Sequence, residues 1–446
     1  MAKQSNEEVQ LWQTVAPVEF VPRVKDKNDQ QALLISTRQG AGYAIAGGQL
    51  SHAISSRATH ILFDFSKSAC AIRYQIDGAW EQLPPLDRES GDAMLYALKQ
   101  LCLMNPADRR GSQKGGMQVK LVKDKYQFNM QSQGVPTGER VICRLEAEEM
   151  PFKKLGDLGM RDKMIEQFKE NLNGSGNVVL IAAKKSEGVS TFWNVAISAA
   201  DRLVRDFQSF EPEESPEPEI INISPNFFGG DTGKTELDMV NRMVLREPDV
   251  LMFPNPPQPE SLKVAMEQVI AADRQVIHRI AADGAIAALV AFVGRYPECR
   301  SMIAEKLGCV IHQRLVRRLC DNCKVGFEPP PKLLAQLGIP AGRVPLLYKP
   351  FIPPPIEQQV DENGRPAPIE PCPVCNSRGY HGRIGIYEML TPGPQFREAL
   401  KKTQDAGQLT AIAKSEGFRP VQSEAVLTVA RGLTSLDELK RAFAKR

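Results

Sequence analysis

The sequence has no apolar run long enough to span a bilayer. Its longest, Ala285–Val293 (AIAALVAFV), is about half of the roughly 20 residues a membrane-spanning helix needs. The opening MAKQSNEEVQ contains no apolar signal core, so a cytoplasmic protein is expected, at most peripheral on an inner membrane and without a transmembrane segment. Surplus charge is also lacking. Lys and Arg number 56 against 53 Asp and Glu, for a net charge of +3, and the pI is near 8.3. That field is too weak for non-specific nucleic-acid binding to be the business of the whole chain. Histidine and tryptophan are scarce, five and three residues. The nine cysteines are an odd number in a chain with no secretory signal, which argues against a disulfide framework and makes metal binding the better use of any paired ones. What is present is ordinary globular composition, 42% hydrophobic and 24% charged over 446 residues, enough for two or three domains.

Residues 1–39 read as a polar arm or shortened leading segment with no assigned chemistry. From Gln49 the pattern tightens: a short helix (LSHAISSRA), a strand at Ile61–Phe65, then CAIRYQI and AWEQL joined by Asp77-Gly78, a hairpin signal because Gly accepts positive φ. Apolar spacing at Leu95, Leu98, Leu101 and Cys102 predicts a helix, and Met117–Val122 and Tyr126–Met130 read as strands. Residues 40–150 are therefore expected to form an α+β domain. Beyond a helix at Asp162–Asn171 the rhythm changes to strands alternating with helices: NVVLIAA, TFWNVAISAADRLV, EIINIS, TELDMVNRMVL, DVLMF, PESLKVAMEQVIAA, RQVIHRI and GAIAALVAFVG. That alternation predicts a doubly wound parallel sheet over 151–319. The first of those helices, 191–204, carries a stripe of Phe192, Val195, Ala199 and Leu203. The acidic, Pro-rich stretch Glu211–Glu219 and the Pro-rich 328–371 read as solvated connectors. Residues 391–446 read as helical, with Ser435 capping LDELKRAFA.

Cys320-Asp-Asn-Cys323 and Cys372-Pro-Val-Cys375 are two C-x-x-C pairs. Each such turn presents two thiolates to one side of an ion, so two of them close a tetrahedral zinc shell, and a closed four-sulfur shell is structural rather than catalytic. The intervening 324–371 exceeds the usual span of roughly 15 to 20 residues, which makes the metal a staple across an insertion in a module over 320–390. One redox C-x-x-C plus a coincidental pair is the competing reading.

The segment His312–Lys324 (HQRLVRRLCDNCK), with NSRGYHGRIGIYEML (376–390) after the second pair, resembles the C-terminal zinc module of the type II secretion and type IV pilus assembly ATPases, the traffic ATPases. The resemblance continues upstream through RATHILFDF (57–65), IRYQIDG (72–78), NPADRRGSQKGG (105–116), VPTGERVICRL (135–145) and EPDVLMF (247–253). It implies an α/β protein with a PAS-like α+β domain before a RecA-like parallel-sheet domain of the P-loop NTPase type. It also implies a hexameric ring in which ATP turnover drives pilin or pseudopilin assembly through an inner-membrane platform protein.

A phosphate-binding loop of the form G-x-x-x-x-G-K-[ST] works because its glycines let backbone N–H groups reach the phosphates, its Lys neutralises charge and its hydroxyl holds Mg²⁺. The matching stretch here runs from Ala183 through Lys184, Lys185, Ser186 and Glu187 to Gly188, Val189, Ser190 and Thr191. Gly188 and the hydroxyls remain, Val189 stands in place of the Lys, and Glu187 brings a negative charge. The resemblance places a water-polarising Glu after the 248–253 strand, where Asn255 follows Pro254. It places an acidic box at Ser224 and Asn226, and a catalytic His near Ala281, with His278 expected as a packed or surface residue. Arginines donated by the first domain fall at Arg73 and Gln75 and at Gln113–Gly116, so only the first is kept. Arg109 and Arg110 remain as an expected solvated or interdomain pair.

The expected function is thus a non-hydrolysing scaffold or regulatory subunit of a secretion or pilus machine, in a homomeric ring or one mixed with active paralogues, holding structural zinc. One alternative is an active motor in which Lys184, Lys185, Gly188, Ser190 and Thr191 still bind Mg²⁺-ATP. A second is a zinc-stapled nucleic-acid binder using RLVRR (314–318), which lacks the interleaved aromatics of a base-stacking surface.

Overall fold

Period-two alternation builds the sheet of the leading unit. Along β-strand 69–76 every second residue, Cys70, Ile72, Tyr74 and Ile76, is buried, the pattern of a sheet with one face on a core. The structure, a computed structural model, describes residues 15–444 except 150, 341, 356–357, 360–364 and 366. The start of the expected arm and part of the Pro-rich insertion lie outside the described residues.

The chain divides into two compact units, Met1–Pro151 and Phe152–Arg446. The first holds β1 (Glu19–Pro22), α1 (Lys27–Arg38), α2 (Ala41–Ser55), β2 (Ala58–Phe65), β3 (Ala69–Ile76), β4 (Ala79–Asp87), α3 (Arg88–Leu101), β5 (Gln113–Leu121), β6 (Asp124–Val135) and β7 (Gly138–Ala147). They form one antiparallel sheet in the order β1-β5-β6-β7-β2-β3-β4. Helices α2 and α3 pack on each other and on the sheet around a core that includes Leu50, Phe63, Leu98, Met117, Phe128 and Cys143. The expected hairpin is present, with Asp77 at φ 49 and Gly78 at φ 83, both positive as a type I′ turn requires. Residues 19–38, part of the expected polar arm or shortened leading segment, supply an edge strand and a helix. Phe20 is buried in the core, and Asp26 caps α1 by accepting from the N–H groups of Asn28 and Asp29.

In the second unit the sheet order is β10-β9-β11-β12-β8-β13-β16, built from β8 (Val178–Ala183), β9 (Phe207–Pro212), β10 (Ile223–Phe228), β11 (Val250–Phe253), β12 (Gln275–Ala281), β13 (Leu307–Leu319) and β16 (Tyr380–Leu390). All pairings are parallel except that of β16 with β13. Every residue of β8 is buried, as a strand covered on both faces must be. One face carries α4 (Asp162–Leu172) and α5 (Val189–Ser198), packed through Phe168, Phe192, Trp193 and Ile197. The other carries α6 (Glu236–Val244), α7 (Pro259–Ala271), α8 (Ala285–Arg295) and α9 (Arg300–Lys306). A small ladder of β14 (Val325–Phe327) and β15 (Leu347–Lys349), with α10 (Pro331–Gln336) between them, fills the connector. The tail is α11 (Pro394–Lys402), α12 (Ala406–Ser415), α13 (Val421–Ala430) and α14 (Leu436–Phe443), the last capped by Ser435 Oγ accepting from Glu438 N–H.

Three sequence expectations need correction. Helix α5 ends at Ser198, and Leu203, placed by periodicity on its buried stripe, is 79% exposed in the turn that follows. The residues after Ser198 turn back at once to begin β9, so the stripe stops at Ala199. The strand expected over EIINIS is shifted to β10, and a strand not foreseen, β9, occupies 207–212. The connector expected from Glu211 begins inside that strand, with Glu211 buried.

Candidate functional site

The C-terminal ends of the parallel strands converge beside the turn from β8 into α5, the place where open α/β sheets bind ligands. Two residues there are left-handed, Ser186 at φ 67 and Gly188 at φ 77. Gly188 caps α5, and a Cβ at that position would sit 3.2 Å from Leu315 and 3.3 Å from Gln313, so both backbone shape and space favour glycine. The neighbouring strand pins the turn: Gln313 Nε2 donates to Glu187 O at 2.8 Å, and Tyr387 Oη donates to Gln313 Oε1 at 2.8 Å. The frame of a phosphate loop is therefore present.

Its chemistry is different. Val189 presents an apolar side chain at the first position of α5, and the Glu187 carboxylate accepts from Leu315 N–H at 3.4 Å beside the turn. Lys184 is drawn toward the loop before α8, its Nζ 3.9 Å from Asp283 Oδ2, and Arg314 approaches the same carboxylate at 3.4 Å. Lys185 is exposed and forms no ion pair among the described residues. Ser190 is exposed and Thr191 half-buried. The helix N-terminus still offers backbone N–H groups, but its first position is the apolar Val189 rather than a lysine.

The strands beside β8 carry a second arrangement. Arg279, at the end of β12, forks onto Glu217 with bonds of 2.6 and 2.8 Å and donates through Nε to Pro254 O at 2.8 Å. Its guanidinium lies 5.6 Å from the centre of the Trp193 ring on α5. Glu211, buried at the end of β9, accepts from Ser209 Oγ at 2.5 Å and from Glu217 N–H at 2.8 Å. Arg279 thus ties two loops to the end of β12, one of them through a bidentate, charge-assisted pair. A cavity of about 220 Å³ beside it is lined by Trp193, Ser209, Glu211, Glu217, Ile223 and Phe227, among others. Sequence reasoning missed this cluster. Its only signal was the density of glutamates in 211–219, which reads equally well as solvated linker.

The remaining sequence candidates of the second unit are spread along the strand ends, Ala281 paired with Ala183 at the start of the β8 turn. Asn255 follows β11 half-buried, Ala281 ends β12, and Ser224 and Asn226 sit on the edge strand β10, where Asn226 bonds Gln208 at 3.0 Å. His278 is fully buried, with Nδ1 2.8 Å from Phe253 O, and burial pushes it down to about 4, so it stays neutral at physiological pH. In the first unit Arg73 lies 3.6 Å from Asp64. The basic run 314–318 is largely consumed in the fold: Arg317 pairs with Glu438 at 2.7 Å and stacks on Tyr380, Arg314 stacks on Phe443, and Arg318 pairs with Asp321.

The two C-x-x-C turns do meet. The Sγ atoms of Cys320, Cys323, Cys372 and Cys375 all lie within 4.8 Å of one another, with Cys320–Cys372 at 3.9 Å and Cys323–Cys375 at 3.6 Å. Four thiolates around one tetrahedral ion at zinc–sulfur distance are about 3.8 Å apart, so the set fits a metal and is far too open for disulfides. Backbone N–H groups of Cys375 and Val374 draw the Cys372 thiol down, while burial raises those of Cys323 and Cys375, so an ion would have to drive the ionisation of the full set.

A mostly parallel α/β sheet whose first strand enters a helix through a left-handed turn, with a four-cysteine cluster beyond its last parallel strand, makes an α/β fold carrying a metal-ready module. The chain belongs to the type II/IV secretion system protein family, whose model matches residues 44–441. It is 25% identical over 373 residues to the type IV pilus assembly ATPase PilB of Thermus thermophilus, a match covering 82% of this chain but 39% of that protein. It is 24% identical to the protein transport protein HofB homolog of Escherichia coli, covering 88% of this chain and 80% of that one. The fold is also that of the ATPase DotB of Yersinia pseudotuberculosis, with a TM-score of 0.55 at 14% identity over 96% of this chain and 98% of that one. No helix among the described residues is long and apolar enough to cross a membrane.

Proposed function

We propose that this chain is a non-hydrolysing member of its family, a scaffold or regulatory subunit of a type II secretion or type IV pilus assembly machine. In this reading it takes a place in a hexameric ring, with itself or with active relatives, at an inner-membrane platform. The observation that carries the reading is the turn at Gly188, where Val189 and Glu187 stand over a helix N-terminus and Lys184 is held toward Asp283. A triphosphate arriving there meets a carboxylate instead of an ammonium. The Arg279–Glu217 clamp adds to this, because the cation at the strand ends is already matched by a carboxylate of the same chain. Losing one pre-organised charge-stabilising group costs roughly 10²- to 10³-fold in turnover, and phosphoryl transfer depends almost wholly on such groups. The four-cysteine cluster is assigned zinc, which Cys320, Cys323, Cys372 and Cys375 would hold in a closed shell that fixes the connector and leaves no position for substrate.

The test is phosphate release by the purified full chain with Mg²⁺-ATP, beside a Ser190→Ala, Thr191→Ala variant. The expected result is background release from both. Substantial turnover that disappears in the variant would establish the motor reading instead.

A further inference from the structure

The first unit holds a feature that the family reading does not use. At one end of its sheet the β2–β3 turn, the start of α3, the loop before β5 and the β6–β7 turn enclose an open basin of about 770 Å³, lined by Lys67, Arg88, Arg109, Arg110, Gly134 and Gly138, among others. Every ionisable group lining it is cationic. The positions at which the resemblance places donated arginines, Arg73, Gln75 and Gln113–Gly116, line no part of it.

The basin is built from below. Lys99 and Glu139, both buried, pair at 2.6 Å, and Ser132 Oγ donates to the same carboxylate at 2.6 Å. Glu139 also accepts from Arg109 Nε at 3.0 Å, Asp92 accepts from Arg109 Nη2 at 2.7 Å, and Asp92 receives Arg88 Nε at 2.7 Å. The charges alternate along this chain of contacts, so each guanidinium is held in a fixed plane by carboxylates behind it. Both planes also sit over Phe65, at 5.7 Å for Arg88 and 5.6 Å for Arg109. The turn comes close because of its glycines: a Cβ on Gly134 would lie 2.7 Å from Arg110 Cα, and one on Gly138, at φ 154, would lie 2.2 Å from Phe65 O.

Lys67 and Arg110 stand at the rim, exposed and without an ion pair among the described residues. Counting them, the five cations Lys67, Arg88, Lys99, Arg109 and Arg110 face the three carboxylates Asp92, Asp108 and Glu139, a surplus of two positive charges. A surplus held in fixed planes around an open, concave space suits a doubly charged anion with several oxygens better than a carboxylate with two. We propose that this basin is a binding site for a phosphate-bearing ligand, complete within one chain, in which Lys67 and Arg110 meet the phosphate and Arg88 and Arg109 orient it.

The experiment titrates the full chain with inorganic pyrophosphate by calorimetry and, separately, co-sediments it with vesicles containing phosphatidic acid, a phosphomonoester lipid, against phosphatidylcholine vesicles. Saturable pyrophosphate binding supports a soluble phosphate ligand, and binding only to the anionic vesicles supports a lipid headgroup. In either arm Lys67→Glu and Arg110→Glu should each weaken binding by about tenfold or more. Lys332→Glu, an equal change of charge on the exposed face of α10, should leave it intact. No binding in either arm, binding indifferent to both basin variants, or equal loss in the Lys332 variant would each overturn the proposal.

Discussion

Arg279 shows how much at the candidate site turns on one side chain. Its guanidinium makes three bonds to groups from two loops and is 13% exposed, against 15% for its partner Glu217. Removing one partner of such a pair leaves a largely desolvated charge behind, which costs more than the pair itself is worth. Arg279→Ala is therefore expected to lower stability by about 2 to 3 kcal/mol, read as a shift of the denaturation midpoint. Arg279→Lys should recover less than half, because a lysine cannot fork onto Glu217 and reach Pro254 O together. Equal stability of wild type and the alanine variant would show the clamp to be incidental. None of this was legible in the sequence, since the pair joins residues 62 positions apart and nothing local marks Arg279 as a partner. Gly188 was legible because its role is local: a positive φ at a helix start leaves its mark on the residue itself.

At the scale of elements, short-range chemistry was readable and long-range pairing was not. Asp77-Gly78 announced its hairpin, and the second unit's alternating strands and helices announced a parallel sheet, because period and turn residues are written into consecutive positions. The join between β13 and β16 was hidden. These strands pair antiparallel from Val310–Leu390 to Leu319–Tyr380 across the whole cysteine-flanked insertion, so the segment 380–390, read with the metal module, completes the main sheet. The ladder also predicts how the module fails. One zinc per chain is expected by elemental analysis, and Cys372→Ser or a chelator should remove it. Structural zinc contributes on the order of 10 kcal/mol in small domains, so its loss should open the 324–371 connector to protease while β13 and β16, held by their own hydrogen bonds, stay protected. Release of the metal with no change in cleavage there would count against a structural role. Simultaneous cleavage within the sheet would show that the metal supports more than the connector.

Over the whole molecule, the parts a nucleotide site would need come from separated stretches that the sheet brings side by side: the turn after β8, the end of β9, Pro254-Asn255 after β11 and the end of β12. The sequence differs from a phosphate-binding pattern at several of these at once, and contributions of groups that act as a unit do not add. Repair at one place should therefore restore one property and not the activity. In the variant Glu187→Gly, Val189→Lys the turn regains an ammonium and loses a carboxylate while Ser186 and Gly188 keep its left-handed shape, so binding of a fluorescent ATP analogue is expected to appear or to tighten by about tenfold or more. Phosphate release should stay at least roughly 10²-fold below that of an active relative, because Asn255 cannot take a proton at neutral pH and Arg279 remains matched to Glu217. Binding and turnover recovered together would place the proposed loss of activity in the β8 turn alone. Failure of both would mean that the clamp at the strand ends also withholds its cation from the ligand, and adding Glu217→Gln to the same variant, which frees Arg279, would then restore binding.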